Sequence, residues 1–373
     1  MKRIYLDNNA TTPLTPEIFE YYISLTQTIY GNPSSVHHEG RDAKACLVEA
    51  RKRVAHCLDV LPTEVFFFPS ATEALNTALY SVLKKNPKGH VVTTNVEHVA
   101  VFEVLESESR LRPVTFIAVG ETGAPTPKDI EEAIREDTCL VTCMSVNNET
   151  GVITDIEAIG AICARKGIPF IVDAVAHLGK APLHIPKGVS CLVISGHKIH
   201  VPKGCAAVVS KAPFKLSSLL LGGHQEWSKR PGTENVPAYA TFAKGLEIFK
   251  THEDDSIHHL QSLRDRFEKA LLSHIPGLLV NGSGERVSNV SNLSFPDLDA
   301  ETFLMQLDMQ GIAASHGSAC SSGSLEPSRI LTNMGYPRKR VLSAIRFSFG
   351  RQNTLEEVDE AVLKIVQILK TQR

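Results

Sequence analysis

No apolar run in the chain comes near the roughly 20 residues that a bilayer-crossing helix needs. Each is broken early by Pro, Gly or a charged residue. The opening residues, Met1-Lys2-Arg3-Ile4-Tyr5-Leu6, meet Asp7 and Asn8 before the apolar core of a secretory signal can form. An excess of one charge is lacking too: 39 Lys and Arg stand against 41 Asp and Glu, a formal net charge of -2 over 373 residues. That balance leaves no basic footprint for a nucleic-acid backbone. Eight cysteines are scattered singly, with no CxxC pair, as expected of reduced thiols rather than a disulfide framework or a zinc site. Cys139 and Cys143, four apart in an expected strand, read as packing residues. Repeats and low-complexity linkers are missing as well. These absences lead us to expect a cytoplasmic protein with small-molecule or protein partners, no metal, no membrane and no direct nucleic-acid contact.

Between residues 64 and 210, short runs rich in Val, Ile and Phe alternate with helical patterns. The runs are Val65 to Phe68, Val91 to Thr94, Val114 to Val119, Leu140 to Val146, Phe170 to Val172, Cys191 to Ile194 and Ala206 to Val209. Segments such as Ala71 to Lys84, Lys128 to Arg135 and Ile156 to Lys166 carry apolar residues at helical spacing. This alternation predicts an α/β fold, a mainly parallel sheet covered by helices on both faces. After Val236 the pattern changes to long helices, Val236 to Lys250 and Ser256 to His274. Short strands around Val290 to Phe295 and Ile345 to Phe349 follow, then a closing helix from Leu355 to Lys370, and the composition fits a smaller α+β domain. We expect residues 13–247 to form the large domain and residues 248–373, with 1–12 packing against them, the small one. Ligands of open α/β sheets sit at the carboxyl ends of strands, and the polar clusters fall there.

Lys198, in Ile194-Ser195-Gly196-His197-Lys198, follows such a strand. Among apolar strands its amine can be driven toward the neutral form and attack an aldehyde; the alternative is an ordinary solvated lysine. Asp173, at the end of another strand, suits a protonated ring nitrogen or a simple cap. His98 suits ring stacking or proton transfer, or a packed surface. Ser70-Ala71-Thr72 turns from strand to helix, so its free N–H groups can bind a phosphate or merely be capped. Far downstream, Cys320 lies among Ser and Gly with no apolar periodicity, as a reactive thiol requires and as an idle exposed thiol would also show. An amine that holds a carbonyl cofactor, paired with an accessible thiol, points to sulfur chemistry.

Jointly these pieces resemble the cysteine desulfurases of the NifS/IscS type, within the class V, fold-type I pyridoxal 5'-phosphate enzymes. The likeness runs almost end to end, through Tyr5-Leu6-Asp7-Asn8-Asn9-Ala10-Thr11-Thr12, Gly31-Asn32-Pro33-Ser34-Ser35, Val96-Glu97-His98 and Val146-Asn147-Asn148-Glu149-Thr150-Gly151. It continues through Ser195-Gly196-His197-Lys198, Gly232-Thr233-Glu234-Asn235 and Ile345-Arg346-Phe347-Ser348. Ser318-Ala319-Cys320-Ser321-Ser322-Gly323 is similar to the long cysteine loop of members that feed iron-sulfur cluster assembly and tRNA thiolation. The resemblance implies that Lys198 carries the cofactor, that Asp173 pairs with its ring nitrogen, and that His98 stacks on the ring and assists proton transfer. It further implies phosphate contacts from Ala71, Thr72, Ser195 and His197, with Thr233 reaching the phosphate of the neighbouring subunit in a homodimer. Arg346 would grip the carboxylate of L-cysteine, Asn148 would lie beside cofactor and substrate, and Cys320 would accept the sulfur. A sulfur-acceptor protein, such as an iron-sulfur scaffold or a tRNA-thiolation factor, is the implied partner. A selenocysteine lyase, another class V lyase, or a catalytically weakened sulfur-trafficking protein would share much of this pattern. Three positions depart from it: Ala176 stands where a glutamine is usual, Ser70 where glycine is, and Val201 follows His200 in place of glycine.

Overall fold

The protein is described by a computed structural model over residues 3–317 and 327–371. Its strands, in chain order, are β1 (Ile4–Tyr5), β2 (Val65–Phe68), β3 (His90–Thr94), β4 (Val114–Ile117), β5 (Thr138–Met144) and β6 (Phe170–Asp173). Then come β7 (Cys191–Ser195), β8 (Ala206–Ser210), β9 (Leu279–Val280), β10 (Val290–Ser294), β11 (Ile312–Ala313) and β12 (Ala344–Ser348). Seven of them form one sheet in the order β2-β8-β7-β6-β5-β3-β4. All run parallel except β8, which is antiparallel to both neighbours. The apolar runs expected of a doubly covered sheet are buried in β2, β6, β7 and β8, whereas the expected run from Val114 to Val119 is only part-buried, because β4 lies at the sheet edge.

Strand periodicity of two divides the sheet's side chains between two cores. Val65, Phe67, Leu192 and Ile194 pack with helices His38–Cys57, Ile156–Lys166 and Val236–Thr251. Phe66, Phe68, Cys191 and Val193 pack on the other face with Ala71–Leu83 and Val99–Glu108. A separate core gathers Leu260, Phe267 and Leu271 of helix Glu253–His274 with Leu293, Ile345, Phe347, Val358 and Ile365. It surrounds the antiparallel sheet β12-β10-β9 and the parallel pair β1-β11, and it also takes in Ile4 and Leu6 from the chain's start. We propose that these cores define two domains that join between the helices Val236–Thr251 and Glu253–His274. The expected break at 247/248 falls inside the first of these helices, five residues being too few for the sequence pattern to resolve a continuous helix from a joint.

Element ends follow local chemistry. Helix Glu253–His274 starts earlier than its apolar spacing suggests because Glu253, Asp254 and Asp255 fill its first turn, where the positive end of the helix dipole favours carboxylates. Val201, the residue that replaces a glycine, is buried against Gly245, where an added Cβ would come within 2.2 Å of its Cγ2. The missing side chain at 245 makes the notch that Val201 fills.

Helix Ile156–Lys166 meets the turn before β7 through Gly160 and Gly188, and a Cβ on Gly188 would lie 1.9 Å from the Gly160 carbonyl oxygen. Gly188→Ala is therefore expected to cost about 1–3 kcal/mol through overpacking. Gly160→Ala, whose Cβ would sit 3.4 Å from the Gly188 backbone, should be tolerated. Urea denaturation of the two variants checks the asymmetry; equal midpoints would contradict it.

Candidate active site

The carboxyl ends of β2, β3, β5, β6 and β7 converge on a cavity of about 470 Å³, closed on one side by the chain's first residues and by β12. Ala71, Thr72, His98, Asn148, Asp173, Ser195, His197, Lys198 and Arg346 all line it. Thr233 does not; it is exposed on the surface, away from this chain's cavity. Cys320 lies outside the described residues.

Lys198 closes the short turn Gly196–Lys198 that follows β7. Its Nζ donates to the backbone oxygens of Ala10, at 2.9 Å, and of Asn9. Beneath it, the Nζ of buried Lys180 donates to the Lys198 carbonyl at 3.1 Å. Burial, helped by the charges of Lys198 and Arg351, brings the Lys180 amine down to about 7. Asp173 is buried at the end of β6, with Oδ1 accepting from the Val175 N–H at 2.9 Å. Desolvation raises its carboxyl to about 6, against the lowering effects of that hydrogen bond and of Lys198.

His98 is the N-cap of helix Val99–Glu108, and its Nδ1 accepts from the Ala100 N–H at 3.2 Å. That bond leaves the ring proton to Nε2. Burial, with the charges of Lys198 and Arg329, takes the imidazole down to about 4, so it is neutral at physiological pH. His197 meets the Thr11 hydroxyl at 3.3 Å, and burial lowers it to about 3. Glu97, beside His98, is wholly buried: Oε1 accepts from the Thr94 hydroxyl at 2.6 Å, and desolvation raises the carboxyl to about 8.

Arg346 reaches in from β12, nearly inaccessible to solvent. It donates to Asp7 Oδ1 at 2.9 Å and to the Asn148 carbonyl at 3.0 Å. Its Nε and the Asn148 Oδ1 are buried and have no partner among the described residues. Unmet polar atoms in a cavity wall are what a polar ligand would satisfy. At the opposite chemistry, Ser70 Oγ caps the Glu73 N–H at 3.2 Å, and the N–H groups of Ala71 and Thr72, which a helix cannot bond internally, remain for an anion. Ser70 thus serves as a cap and does not crowd the cup. Amine, buried carboxylate, neutral imidazole and anion cup are together a donor set that fits pyridoxal 5'-phosphate.

Ala176 lines the cavity with its methyl group. His177 cannot substitute for a glutamine there, since its Nε2 meets the Pro182 carbonyl at 3.1 Å outside the cavity lining. The two residues lie in a turn. Sequence reasoning passed over Lys180, Lys203, Glu97 as a buried acid, and the Asn9 and Ala10 carbonyls. Only the run from Tyr5 to Thr12 hinted at the last two.

Comparison with known proteins places the whole chain. The family model for aminotransferase class-V matches residues 4–361. A cysteine desulfurase of Trichormus azollae is 40% identical over 377 residues, covering 100% of this chain and 94% of that protein. A solved NifS-like protein superposes with a TM-score of 0.92 at 33% identity, covering 99% of this chain and 100% of the other. A structure of SspA in complex with cysteine matches with a TM-score of 0.82 at 27% identity, over 94% and 99% of the two chains. Matched in fold and over nearly its whole length, the chain belongs to the aminotransferase class-V family, among the cysteine desulfurases.

Proposed function

We propose that the protein uses pyridoxal 5'-phosphate to remove sulfur from L-cysteine, giving L-alanine and a persulfide on Cys320. The observation that carries this reading is the meeting of Lys198, Asp173, His98 and Arg346 in one cavity. Ala71, Thr72, Ser195 and His197 would hold the phosphate. Bound there, the cofactor would hold the substrate nitrogen and store the electron pair released at Cα.

The remaining work falls to the chain's own groups. The Arg346 fork would take the substrate carboxylate, with Nε gaining an acceptor. Lys198 Nζ would remove the Cα proton, its approach set by the Asn9 and Ala10 carbonyls that hold it now. Neutral His98 offers Nε2–H as a donor while its Nδ1 stays engaged with the backbone. Asp173 would keep the ring nitrogen protonated by supplying a buried negative charge. At Cys320 the thiolate would attack the substrate sulfur, forming an S–S bond as the C–S bond breaks; the carbon keeps the electron pair and takes a proton to become alanine. The persulfide would pass to a sulfur-acceptor protein, an iron-sulfur scaffold or a tRNA-thiolation factor. A homodimer would bring Thr233 to a neighbouring cavity. No helix among the described residues is long and apolar enough to cross a membrane, in keeping with work in the cytoplasm.

Incubation with L-cysteine, with alanine and sulfide both quantified, checks the reaction. Lys198→Ala and Cys320→Ala should each lower sulfide release by at least about 10²-fold. Retained sulfide release in Cys320→Ala would instead indicate a lyase that needs no persulfide. With no donor at Ala176 for the cofactor's phenolic oxygen, the cofactor linkage at Lys198 should keep its proton to higher pH than in Ala176→Gln. An absorbance titration of the bound cofactor should show the variant's transition moved downward; an unmoved transition counts against the assignment. Asp173 gives a third expectation. Its folded-state pKa of about 6 lies above the ordinary carboxylate value of 3.8, so its ionisation penalises the cofactor-free fold as pH rises from about 4 through 6. Asp173→Asn should therefore stabilise the cofactor-free protein by roughly 2–3 kcal/mol at pH 8, with the gain fading toward pH 4. Chemical denaturation at the two pH values measures it.

A further inference from the structure

Strand β2 lies at the edge of the large sheet and pairs only with β8. Its outward backbone groups are nevertheless taken. Arg51, from helix His38–Cys57, donates through NH1 to the Val65 carbonyl at 2.5 Å, and the Phe67 N–H donates to Glu226 Oε2 at 2.7 Å. Arg51 and Glu226 also join each other through two hydrogen bonds, of 2.8 and 2.5 Å, with side chains only 8% and 1% exposed. The guanidinium lies 5.0 Å from the centre of the Phe67 ring and 4.4 Å from that of Trp227. A buried ion pair thus occupies the place of a neighbouring strand.

Reaching it distorts the chain. Glu226, Trp227 and Ser228 adopt φ values of 46°, 52° and 63° in succession, a left-handed stretch that residues other than glycine rarely form. Such backbone persists only where its surroundings hold it. The same segment then reaches the first turn of helix Ala71–Leu83, where Arg230 Nε donates to Glu73 Oε1 at 2.9 Å. It is therefore fastened on both sides of the anion cup, to Phe67 before it and to Glu73 after it. Ser70, Ala71 and Thr72 lie between the two ties and line the cavity.

We propose that Glu226 is a positioning residue for the cup: the Arg51–Glu226 pair, seconded by Arg230–Glu73, keeps the Ala71 and Thr72 N–H groups aimed at a single bound phosphate. This rests on the reading that the cup holds the phosphate of the cofactor. A pair that merely sealed a sheet edge would affect all ligands of the cavity alike. A pair that aims the cup affects only ligands that carry phosphate.

The test titrates the full chain, freed of cofactor, with pyridoxal 5'-phosphate and separately with pyridoxal, following absorbance. Glu226→Gln should weaken pyridoxal 5'-phosphate binding by about tenfold or more while moving pyridoxal by no more than about twofold, a misaimed charge-assisted bond being the difference between the two ligands. Glu73→Gln, which removes the more exposed tie, should give a smaller loss of the same kind and decides the matter if Glu226→Gln does not fold. Equal weakening of both ligands, or no weakening of either, overturns the inference. A wild-type protein that binds pyridoxal as tightly as its phosphate would instead overturn the cup's assignment to phosphate.

Discussion

A carboxylate kept from water at the end of a central parallel strand is the constraint on which the rest of the site depends. Asp173 is almost fully buried among the ends of β5, β6 and β7, with one backbone N–H to accept from and burial working against its charge. Nothing about folding asks for such a group; an amide or an apolar side chain would be less costly there. Its value appears only beside a cation, and the neighbours are arranged to leave room for one. His98 and His197 are held neutral by the same burial, so the cavity wall adds no imidazolium charge to compete for the carboxylate. Three ionisable side chains are thus set by a single dry environment, which is how one cavity prepares unlike groups for unlike tasks.

The chain's first residues join the two cores through this cavity. Leu6 and Ile4 pack in the smaller core, the Leu6 carbonyl accepts from Ser348 N at 2.7 Å, and Asp7 holds Arg346. Two residues later, the Asn9 and Ala10 carbonyls receive Lys198 Nζ, and Thr11 meets His197. The segment from Asp7 to Ala10 therefore fixes Arg346 of β12 and Lys198 after β7 relative to each other. Holding reacting groups in a near-attack geometry lowers the barrier, and here the placement of Lys198 comes from backbone carbonyls.

The sheet was legible in the sequence because, the edge strand β4 apart, its strands are buried on both faces and read as mainly apolar runs rather than as amphipathic surfaces. Lys198, Asp173 and His98 were legible for a related reason: each is a polar residue placed where such a run stops. What escaped is what depends on contacts distant in sequence. Lys180 resembles any lysine until its burial under Lys198 is seen, and Glu97 resembles a surface acid until the Thr94 hydroxyl is found against it. The left-handed turn at Glu226 contains no glycine to announce it. Carbonyl oxygens, borne by every residue, leave no mark in a sequence at all.

Arg346 and the root of the cysteine segment are parts of one backbone ladder. Ser315 and Arg346 exchange both hydrogen bonds, at 3.1 and 2.7 Å, and His316 Nδ1 meets the Ala344 carbonyl at 2.7 Å. On the far side of residues 318–326, Ser328 donates to Glu149 Oε2 at 2.5 Å. The Glu149 carboxylate lies 3.6 Å from where a Cβ on Gly317 would stand, so one buried acid touches both ends of the segment. Glu149 also follows Asn148, whose carbonyl holds Arg346. The group proposed to grip the substrate carboxylate and the described residues on either side of 318–326 therefore share one hydrogen-bonded frame. A substrate held by Arg346 would thus be referenced to the same backbone ladder that holds Ser315 and His316.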